Sequence, residues 1–299
     1  MKHKTRHTLP KILLLIGSVL GLLILSSWLV TDGRIPVIEL SLRWIFLASA
    51  LFLGSVGGFI TYFEYHGIGS QDGIMRRGER QPYVSITFDD GPSPKHTSKI
   101  LDILKEKNVK ATFFVVGKNV EKYPEIARRI VEEGHDIANH TYSHKELLRS
   151  TRKTIIKELT KTDEAIKRIT HTSADLFRPP RGMYSSVTRK LVVEMGYKII
   201  LWSVSSVDWR QTSPIWILNR IKRYARMGSI ILFHDGGALL KGEGGQRINT
   251  VKALPLVIDY LQSQDLQIVT VSKLMRISSA DSIGKDYDFS EEEPQEVLQ

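Results

Sequence analysis

Short apolar runs and longer amphipathic stretches alternate along most of the chain. Apolar or alternating runs of strand length lie at 83–88, 111–116, 136–138, 198–204, 229–233 and 267–271. Between them, apolar residues recur at helical spacing over 95–107, 120–133, 151–169, 185–195, 214–227 and 250–262. This alternation predicts an α/β protein with parallel strands and helices outside them. A barrel and an open doubly wound sheet both fit the pattern.

Two uncharged runs precede this region. Residues 12–30 carry no charge and follow a basic N-terminus, and residues 44–63 form a second uncharged run. Each has about the length that crosses a bilayer, ~20 residues. The first is long for the apolar part of a signal peptide, and no small-residue cleavage site follows it. We therefore predict a membrane anchor of one or two transmembrane helices at 1–65, followed by a Gly-rich linker at 66–81.

The side of the membrane depends on the number of crossings. A basic N-terminus stays in the cytoplasm, so one crossing places the later domain outside and two crossings return it. Arginines 76, 77 and 80 follow the second run, whereas only arginines 34 and 43 lie between the runs. This difference of one arginine weakly favours a cytoplasmic location of the later domain, but long domains are exported largely regardless of such charges. Both orientations are open at this point.

Composition restricts the chemistry more than the compartment. The 299 residues include no cysteine, which excludes disulfides, thiol nucleophiles and Cys-ligated metals. The formal net charge of +10 favours anionic surroundings such as a lipid surface or an acidic polymer. The basic residues are scattered without interleaved aromatic residues, so nucleic acid is not a predicted partner. We predict a folded domain at 82–277 and an acidic, disordered tail at 278–299.

Two adjacent carboxylates stand at the end of the first predicted strand of this domain. The motif is Thr87-Phe88-Asp89-Asp90-Gly91-Pro92, in which the last two residues turn the chain. Neighbouring side chains of a strand point to opposite faces, so two carboxylates can share a site only if the strand ends there. One of them can bind a metal, and the other can accept a proton from an attacking water.

A pair of histidines gives the second chemical signal. His140 and His144 follow the predicted strand at 136–138 and would face the same way on one helical turn. Two imidazoles and a distant carboxylate can hold a divalent metal with open positions for water. In a parallel barrel, residues that follow different strands meet at the same face, so the histidines would lie near Asp89 and Asp90.

Three further polar positions also follow short predicted strands. His234 ends the run 229–233 and is a candidate general acid. Arg178 begins Arg178-Pro179-Pro180-Arg181-Gly182 and could orient a carboxylate by a bidentate pair. Asp208 could hold an imidazole in one tautomer, and Trp209 follows it.

These motifs together resemble the polysaccharide deacetylase family, the NodB homology domain of carbohydrate esterase family 4. The family shows five ordered blocks, and this chain resembles all of them at 87–92, 140–144, 178–182, 205–209 and 232–234. The resemblance implies a distorted (β/α) barrel with fewer than eight strands. It also implies that Asp89 is the catalytic base, held by Arg178, and that His234 is the acid, with Asp208 as its partner. The implied ligands of a divalent metal are Asp90, His140 and His144.

Two positions depart from the family pattern. Arg181 stands where tyrosine is common, although the family uses the backbone N–H of this residue for the oxyanion. Its side chain could instead bring positive charge to the groove, where Trp209 is the other residue assigned to the substrate. Ser205 stands where the fourth block usually begins with aspartate, but Asp208 is retained.

The resemblance implies a metal-dependent N-deacetylase of an amino-sugar polymer such as peptidoglycan or a chitin-like oligosaccharide. Zinc is the expected ion, with Co²⁺, Ni²⁺ or Mn²⁺ as alternatives. We expect a cell-membrane protein whose catalytic domain faces outward, against the weak charge count, because the family's substrates lie outside.

An O-acetyl esterase and a cytoplasmic small-molecule amide hydrolase would use the same residues. A non-catalytic glycan-binding protein would be expected to lack a ligand or Asp89. The oligomeric state is left open.

Overall fold

The structure, a computed structural model, describes residues 44, 47–58, 73–237 and 247–285. The chain divides into two compact units, Met1–Ile60 and Thr61–Gln299. In the first unit, residues 47–58 are helical. None of the helices in the described ranges is long and apolar enough to cross a bilayer. The predicted span at 12–30 and parts of the one at 44–63 lie outside these ranges.

One sheet of nine strands forms the centre of the described part of the second unit. Its strands are β1 Ile74–Met75, β2 Tyr83–Asp89, β3 Thr112–Val115, β4 Asp136–Asn139, β5 Leu176–Phe177, β6 Lys198–Ile200, β7 Val204–Ser205, β8 Ile230–His234 and β9 Gln267–Ile268. The hydrogen-bonded order is β1-β6-β5-β4-β3-β2-β8-β7, and β9 pairs with β2. All of these pairs are parallel, as the alternation of strands and helices predicts.

The sheet curls back on itself between β6 and β7. Only residues 201–203 separate these strands in the chain, yet they lie towards opposite ends of the hydrogen-bonded order. The Leu201 N–H donates to the Met75 carbonyl at 2.8 Å, while the Ser203 N–H donates to the Ile230 carbonyl at 3.0 Å. The connecting segment therefore contacts both ends of the sheet, which gives a curled half-barrel rather than a flat open sheet.

The expected count of fewer than eight strands is wrong for the described residues. The predicted strand at 198–204 is split into β6 and β7. Residues 201–203 lead from β6, which pairs with β1 and β5, to β7, which pairs with β8. The two-residue strands β1 and β5 are too short to give a periodic signal, although a short strand before Arg178 was expected.

Eight α-helices lie in the described part of this unit. They are α1 Thr97–Glu106, α2 Gly117–Lys122, α3 Pro124–Glu132, α4 Arg152–Thr170, α5 Ser186–Glu194, α6 Pro214–Tyr224, α7 Ile248–Ser263 and α8 Val271–Lys285. The predicted helix at 120–133 is two helices, because Pro124 has no N–H and begins α3. Helix α8 continues past the predicted domain end at 277, and the later part of the predicted tail lies outside the described residues.

Alternate residues of the strands face two different cores. Phe88 stacks on Phe113 with ring centroids 5.1 Å apart, in the cluster that packs the helices against the sheet. Phe114 belongs to a second cluster with Trp202. Thr87 and Asp89 point to the opposite side of β2 from Phe88, which brings them to the side of Phe114. The strand period therefore directs Asp89 into the barrel.

Candidate active site

The predicted site residues lie at the carboxyl ends of the strands. Asp89 is the last residue of β2 and His234 is the last residue of β8. The Cα atoms of these two residues are partners in the parallel register of the two strands. His140 directly follows β4, and Arg178 directly follows β5. The barrel thus brings residues from distant parts of the chain to one edge, as parallel strands require.

Asp89 is clamped by a buried guanidinium. Arg178 is fully buried and donates from Nη1 to Asp89 Oδ1 at 2.6 Å and to Thr87 Oγ1 at 2.8 Å. Its other donors reach the carbonyls of Ile200 and Leu201, each at 3.2 Å. A buried ion pair with this many hydrogen bonds holds one geometry. The side chain of Asp89 is therefore held in one orientation, in which it points into the barrel.

Asp90 turns away from the strand because its backbone leaves the extended region. Its φ is 80°, in the left-handed region that non-glycine residues adopt infrequently. The Asn119 side chain supports this turn by donating to the Asp90 carbonyl at 2.8 Å. The change of backbone conformation lets two adjacent carboxylates serve one site, as the sequence required.

Asp90 carries its charge within a group of imidazoles. Its Oδ1 lies 3.5 Å from His140 Nε2 and 3.1 Å from His144 Nε2. Burial alone would raise the pKa of Asp90, but hydrogen bonds from both histidines and the charge of His234 hold it well below its ordinary value. Asp90 is therefore an ionised ligand at neutral pH.

His140 is oriented by the backbone. Its Nδ1 lies 2.7 Å from the Arg178 carbonyl oxygen, and only an N–H can bond to that acceptor. The neutral ring therefore carries its proton on Nδ1, which leaves the Nε2 lone pair facing Asp90. A second partner that fixes the tautomer in this way is the usual arrangement of a metal-binding histidine.

His144 does not lie on a helical turn with His140, and that expectation is wrong. Residues 140–144 form an irregular loop in which Thr141 and His144 have φ values of 65° and 55°. The loop is tied down instead by backbone bonds: the Gly117 N–H donates to the Thr141 carbonyl at 3.1 Å. Burial would lower the pKa of His144, but the hydrogen bond and the charge of Asp90 raise it.

These three side chains fit a divalent metal. Asp90, His140 and His144 each offer a ligand atom, and these atoms lie within 4.8 Å of one another. With metal–ligand bonds of about 2.0–2.1 Å, two ligands of a tetrahedral ion stand about 3.3 Å apart. The separations of 3.5 and 3.1 Å from Asp90 Oδ1 are close to that value.

His234 pairs with the buried carboxylate of Asp208. Its Nδ1 lies 2.8 Å from Asp208 Oδ1, and its backbone N–H donates to Asp208 Oδ2 at 2.9 Å. Thr250 donates a further hydrogen bond to Oδ2 at 2.7 Å. Burial alone would lower the pKa of His234, but the Asp208 charge and hydrogen bond raise it to about 9. The imidazole is therefore protonated at neutral pH and can donate a proton.

The side chains of Arg181 and Trp209 contact residues outside this group. Arg181 has a φ of 58° in the turn after β5, and its Nε pairs with Glu146 Oε1 at 3.0 Å. This ion pair offsets the positive charge that the sequence assigned to the groove. Trp209 is half-buried and lies under the Arg210 guanidinium, 4.7 Å from the ring centroid. The substrate roles of both residues stay predictions.

Asp235 is a buried carboxyl that sequence reasoning left without a role. Its Oδ2 accepts a hydrogen bond from the Thr97 hydroxyl at 2.6 Å, and its N–H donates to the Asp89 carbonyl at 3.1 Å. Any side chain at Gly91 would collide with this carboxylate. Burial, with the nearby charge of Asp90, raises the pKa of Asp235 to about 7. Its position directly after His234 was the available signal.

Glu158 is a second residue that the sequence did not reveal. It lies on α4 and accepts hydrogen bonds from the Ser143 N–H at 2.8 Å and from the Ser143 hydroxyl at 2.9 Å. These bonds hold the loop that carries His144. The spacing of residues along α4 does not distinguish Glu158 from the exposed Glu164 of the same helix, so no sequence signal could have found it.

The fold and the site together define a curled parallel α/β barrel that carries a candidate metal site at the carboxyl edge of its sheet. The family model of the polysaccharide deacetylases matches residues 76–200. A peptidoglycan-N-acetylglucosamine deacetylase of Bacillus cereus is 38% identical over 195 residues, which cover 65% of this chain and 69% of that protein. A chitooligosaccharide deacetylase of Sinorhizobium fredii is 34% identical over 195 residues, which cover 64% and 91%.

A solved structure agrees with these relatives. The crystal structure of a peptidoglycan N-acetylglucosamine deacetylase in complex with 4-naphthalen-1-yl-N-oxidanyl-benzamide matches with a TM-score of 0.64 and 37% identity. The match covers 68% of this chain and 92% of that one. The chain belongs to the polysaccharide deacetylase family. The family and the enzyme class predicted from the sequence, polysaccharide N-deacetylase, are thus confirmed.

Proposed function

We propose that this chain hydrolyses N-acetyl groups of an amino-sugar polymer, with peptidoglycan or a chitin-like oligosaccharide as the substrate class. One observation carries the proposal: Asp89, held by Arg178, and the protonated imidazole of His234 end adjacent strands as register partners, beside the candidate metal ligands. The named relatives act on peptidoglycan and on chitooligosaccharides, which supports this substrate class.

A divalent ion, most simply zinc, would be held by Asp90, His140 and His144 and would supply Lewis acidity at the acetyl carbonyl. Co²⁺, Ni²⁺ and Mn²⁺ are alternative occupants. Asp90 contributes one negative charge, and the Nδ1–H of His140 keeps its Nε2 available as a ligand. These three residues would have no part in moving protons.

Asp89 and His234 would divide the proton transfers. Asp89 accepts a proton from the attacking water while Arg178 keeps its carboxylate in place. His234 gives its proton to the departing nitrogen as the carbon–nitrogen bond breaks, and the Asp208 carboxylate stabilises the imidazolium. The products are acetate and an amino sugar. The backbone N–H of Arg181 would stabilise the oxyanion, a contribution of about 3 kcal/mol for one donor.

The enzyme would act at the cell membrane with its catalytic domain outside. The uncharged run at 12–30 would cross the membrane once, and the run at 44–63 would not cross it, so the domain would lie outside with its polymeric cell-wall substrate. Protease added to intact spheroplasts should then digest the domain. Protection until lysis would place the domain inside and favour a small-molecule amide as the substrate.

Acetate release from N-acetylglucosamine oligomers and peptidoglycan fragments tests the reaction directly. We expect release with the native protein, complete loss after chelation and recovery when zinc is returned. Full activity of the metal-free protein would contradict the metal role. Release from acetyl-xylan without release from the amino-sugar oligomers would identify an O-acetyl esterase instead.

A further inference from the structure

Helix α6 presents an exposed apolar face that the active site does not use. Ile217 and Ile221 are fully buried on the inner side of the helix. On the outer side and just after the helix, large apolar side chains are between 43% and 57% exposed: Ile215, Trp216, Tyr224 and Met227. Trp216, Arg220 and Tyr224 follow one another at four-residue steps along one side of the helix, Ile215 lies next to Trp216 at its start, and Met227 follows its end.

The same face is positively charged. Residues 209–234 include no acidic residue but five basic ones, at 210, 220, 222, 223 and 226. The Arg220 guanidinium lies over the rings of Trp216 and Tyr224, 5.6 and 5.0 Å from their centroids. Arg223 lies 5.4 Å from the Tyr224 centroid, and it is exposed together with Lys222 at the end of the helix. Cationic and aromatic groups are therefore interleaved on this surface, which corrects the expectation that the basic residues have no aromatic residues among them.

The neighbouring helix α7 continues this surface. Lys222 lies over the ring of Tyr260 on α7, 5.3 Å from the centroid, so the two helices adjoin here. Leu256 of α7 is 39% exposed. The exposed acid on α7, Asp259, is paired with Lys107 at 2.6 Å. The surface thus keeps a positive balance across both helices.

We propose that this face of α6 docks on an anionic lipid bilayer. Tryptophan and tyrosine lie preferentially at the boundary between headgroups and acyl chains, and basic residues around them are attracted to anionic lipids. Ile215 and Met227 would gain from contact with acyl chains but would gain nothing from a soluble polyanion. The apolar and cationic composition of the face therefore favours a lipid surface over an acidic glycan.

The absence of cysteine from the chain allows a site-specific test. The full-length protein carrying Ile215→Cys would be labelled with an environment-sensitive fluorophore and mixed with vesicles of neutral or partly anionic lipid. Val187→Cys is the matched control, because Val187 is 58% exposed on α5, away from this face. Circular dichroism of both labelled proteins checks the fold without relying on deacetylation.

We expect the label at 215 to shift to the blue and to be quenched by brominated acyl chains in anionic vesicles, while the label at 187 is unchanged. The double change Lys222→Gln and Arg223→Gln should lower the docked fraction, since each basic residue near an anionic surface is worth about fivefold in binding. High salt should lower it further.

Four results would overturn the proposal. Equal responses of the two labels, or equal responses in neutral and anionic vesicles, would exclude specific docking of this face on lipid. A shift produced by a soluble acidic polysaccharide without vesicles would identify a glycan partner. A label at 215 that is already shifted to the blue in detergent would mean that protein covers the face. Acetate release is not measured here, so failure would leave the proposed reaction untouched.

Discussion

The two halves of the site are held in different ways. Asp89 and His234 end adjacent strands, and the register of the sheet places them opposite each other. Asp90 and His144 lie in loops with φ values of 80° and 55°, and hydrogen bonds from outside the sheet hold these loops. The geometry of the proton-transfer half, Asp89 and His234, is thus set by the strands of the barrel. The geometry of the ligand half, Asp90 and His144, depends on a few long-range contacts. The two halves should therefore respond differently to substitution.

The largest contrast is expected between the two adjacent aspartates. Asp90→Asn should weaken zinc binding by more than about 100-fold, because even indirect partners of ligands cost about 10–100-fold. Asp89→Asn should leave zinc affinity nearly unchanged but lower turnover by about 10²–10⁴-fold, since it removes the base. Titration calorimetry with zinc and acetate release would measure both. A greater loss of zinc affinity in Asp89→Asn would show that the roles are reversed.

The buried guanidinium offers the next test, in stability rather than rate. Arg178→Met would leave the Asp89 charge buried without its partner, so the free energy of unfolding should fall by about 3–5 kcal/mol. Arg181→Met is the control, because its exposed pair with Glu146 is worth only about 0–1 kcal/mol. Denaturant unfolding measures both variants. Similar losses would mean that Asp89 does not depend on the Arg178 clamp.

The pH dependence of the rate tests the proposed role of His234 as the general acid. His234 must be protonated to act, and its pKa is raised to about 9, so the rate should fall as the pH rises through about 9. Asp208→Asn removes the main cause of this raised pKa, and the falling limb should move towards the ordinary value of about 6.5. The maximum rate should also fall. An unchanged limb would mean that Asp208 does not tune His234.

The smallest expected effect concerns the support of the His144 loop. Glu158→Gln weakens the bonds to Ser143 while leaving every ligand in place, so zinc affinity should fall by about tenfold. Glu164→Gln changes an exposed acid of the same helix and should have no effect on affinity. Equal affinities of the two variants would show that Glu158 does not position the loop.

Most of the site residues could be predicted because each stands beside a local signal. Asp89 and His234 end apolar runs of strand length, and parallel strands bring such ends to one edge. The division of the helix at Pro124 could also have been read locally. The prediction of a helical turn at 140–144 was wrong, because two histidines four residues apart are compatible with a helix but do not make one form. Backbone bonds from α2 decide the conformation of that loop.

The sequence by itself determined the parallel α/β order, the carboxylates at the end of β2 and the residues able to bind a metal. These features follow from periodicity and residue type, which act between neighbours in the chain. The resemblance already implied that Arg178 holds Asp89, but only the tertiary structure decided the geometry of that bond, the bond from Thr250 to Asp208 and the support of Ser143 by Glu158. Each is a directional bond between residues far apart in sequence, and no local pattern specifies its geometry.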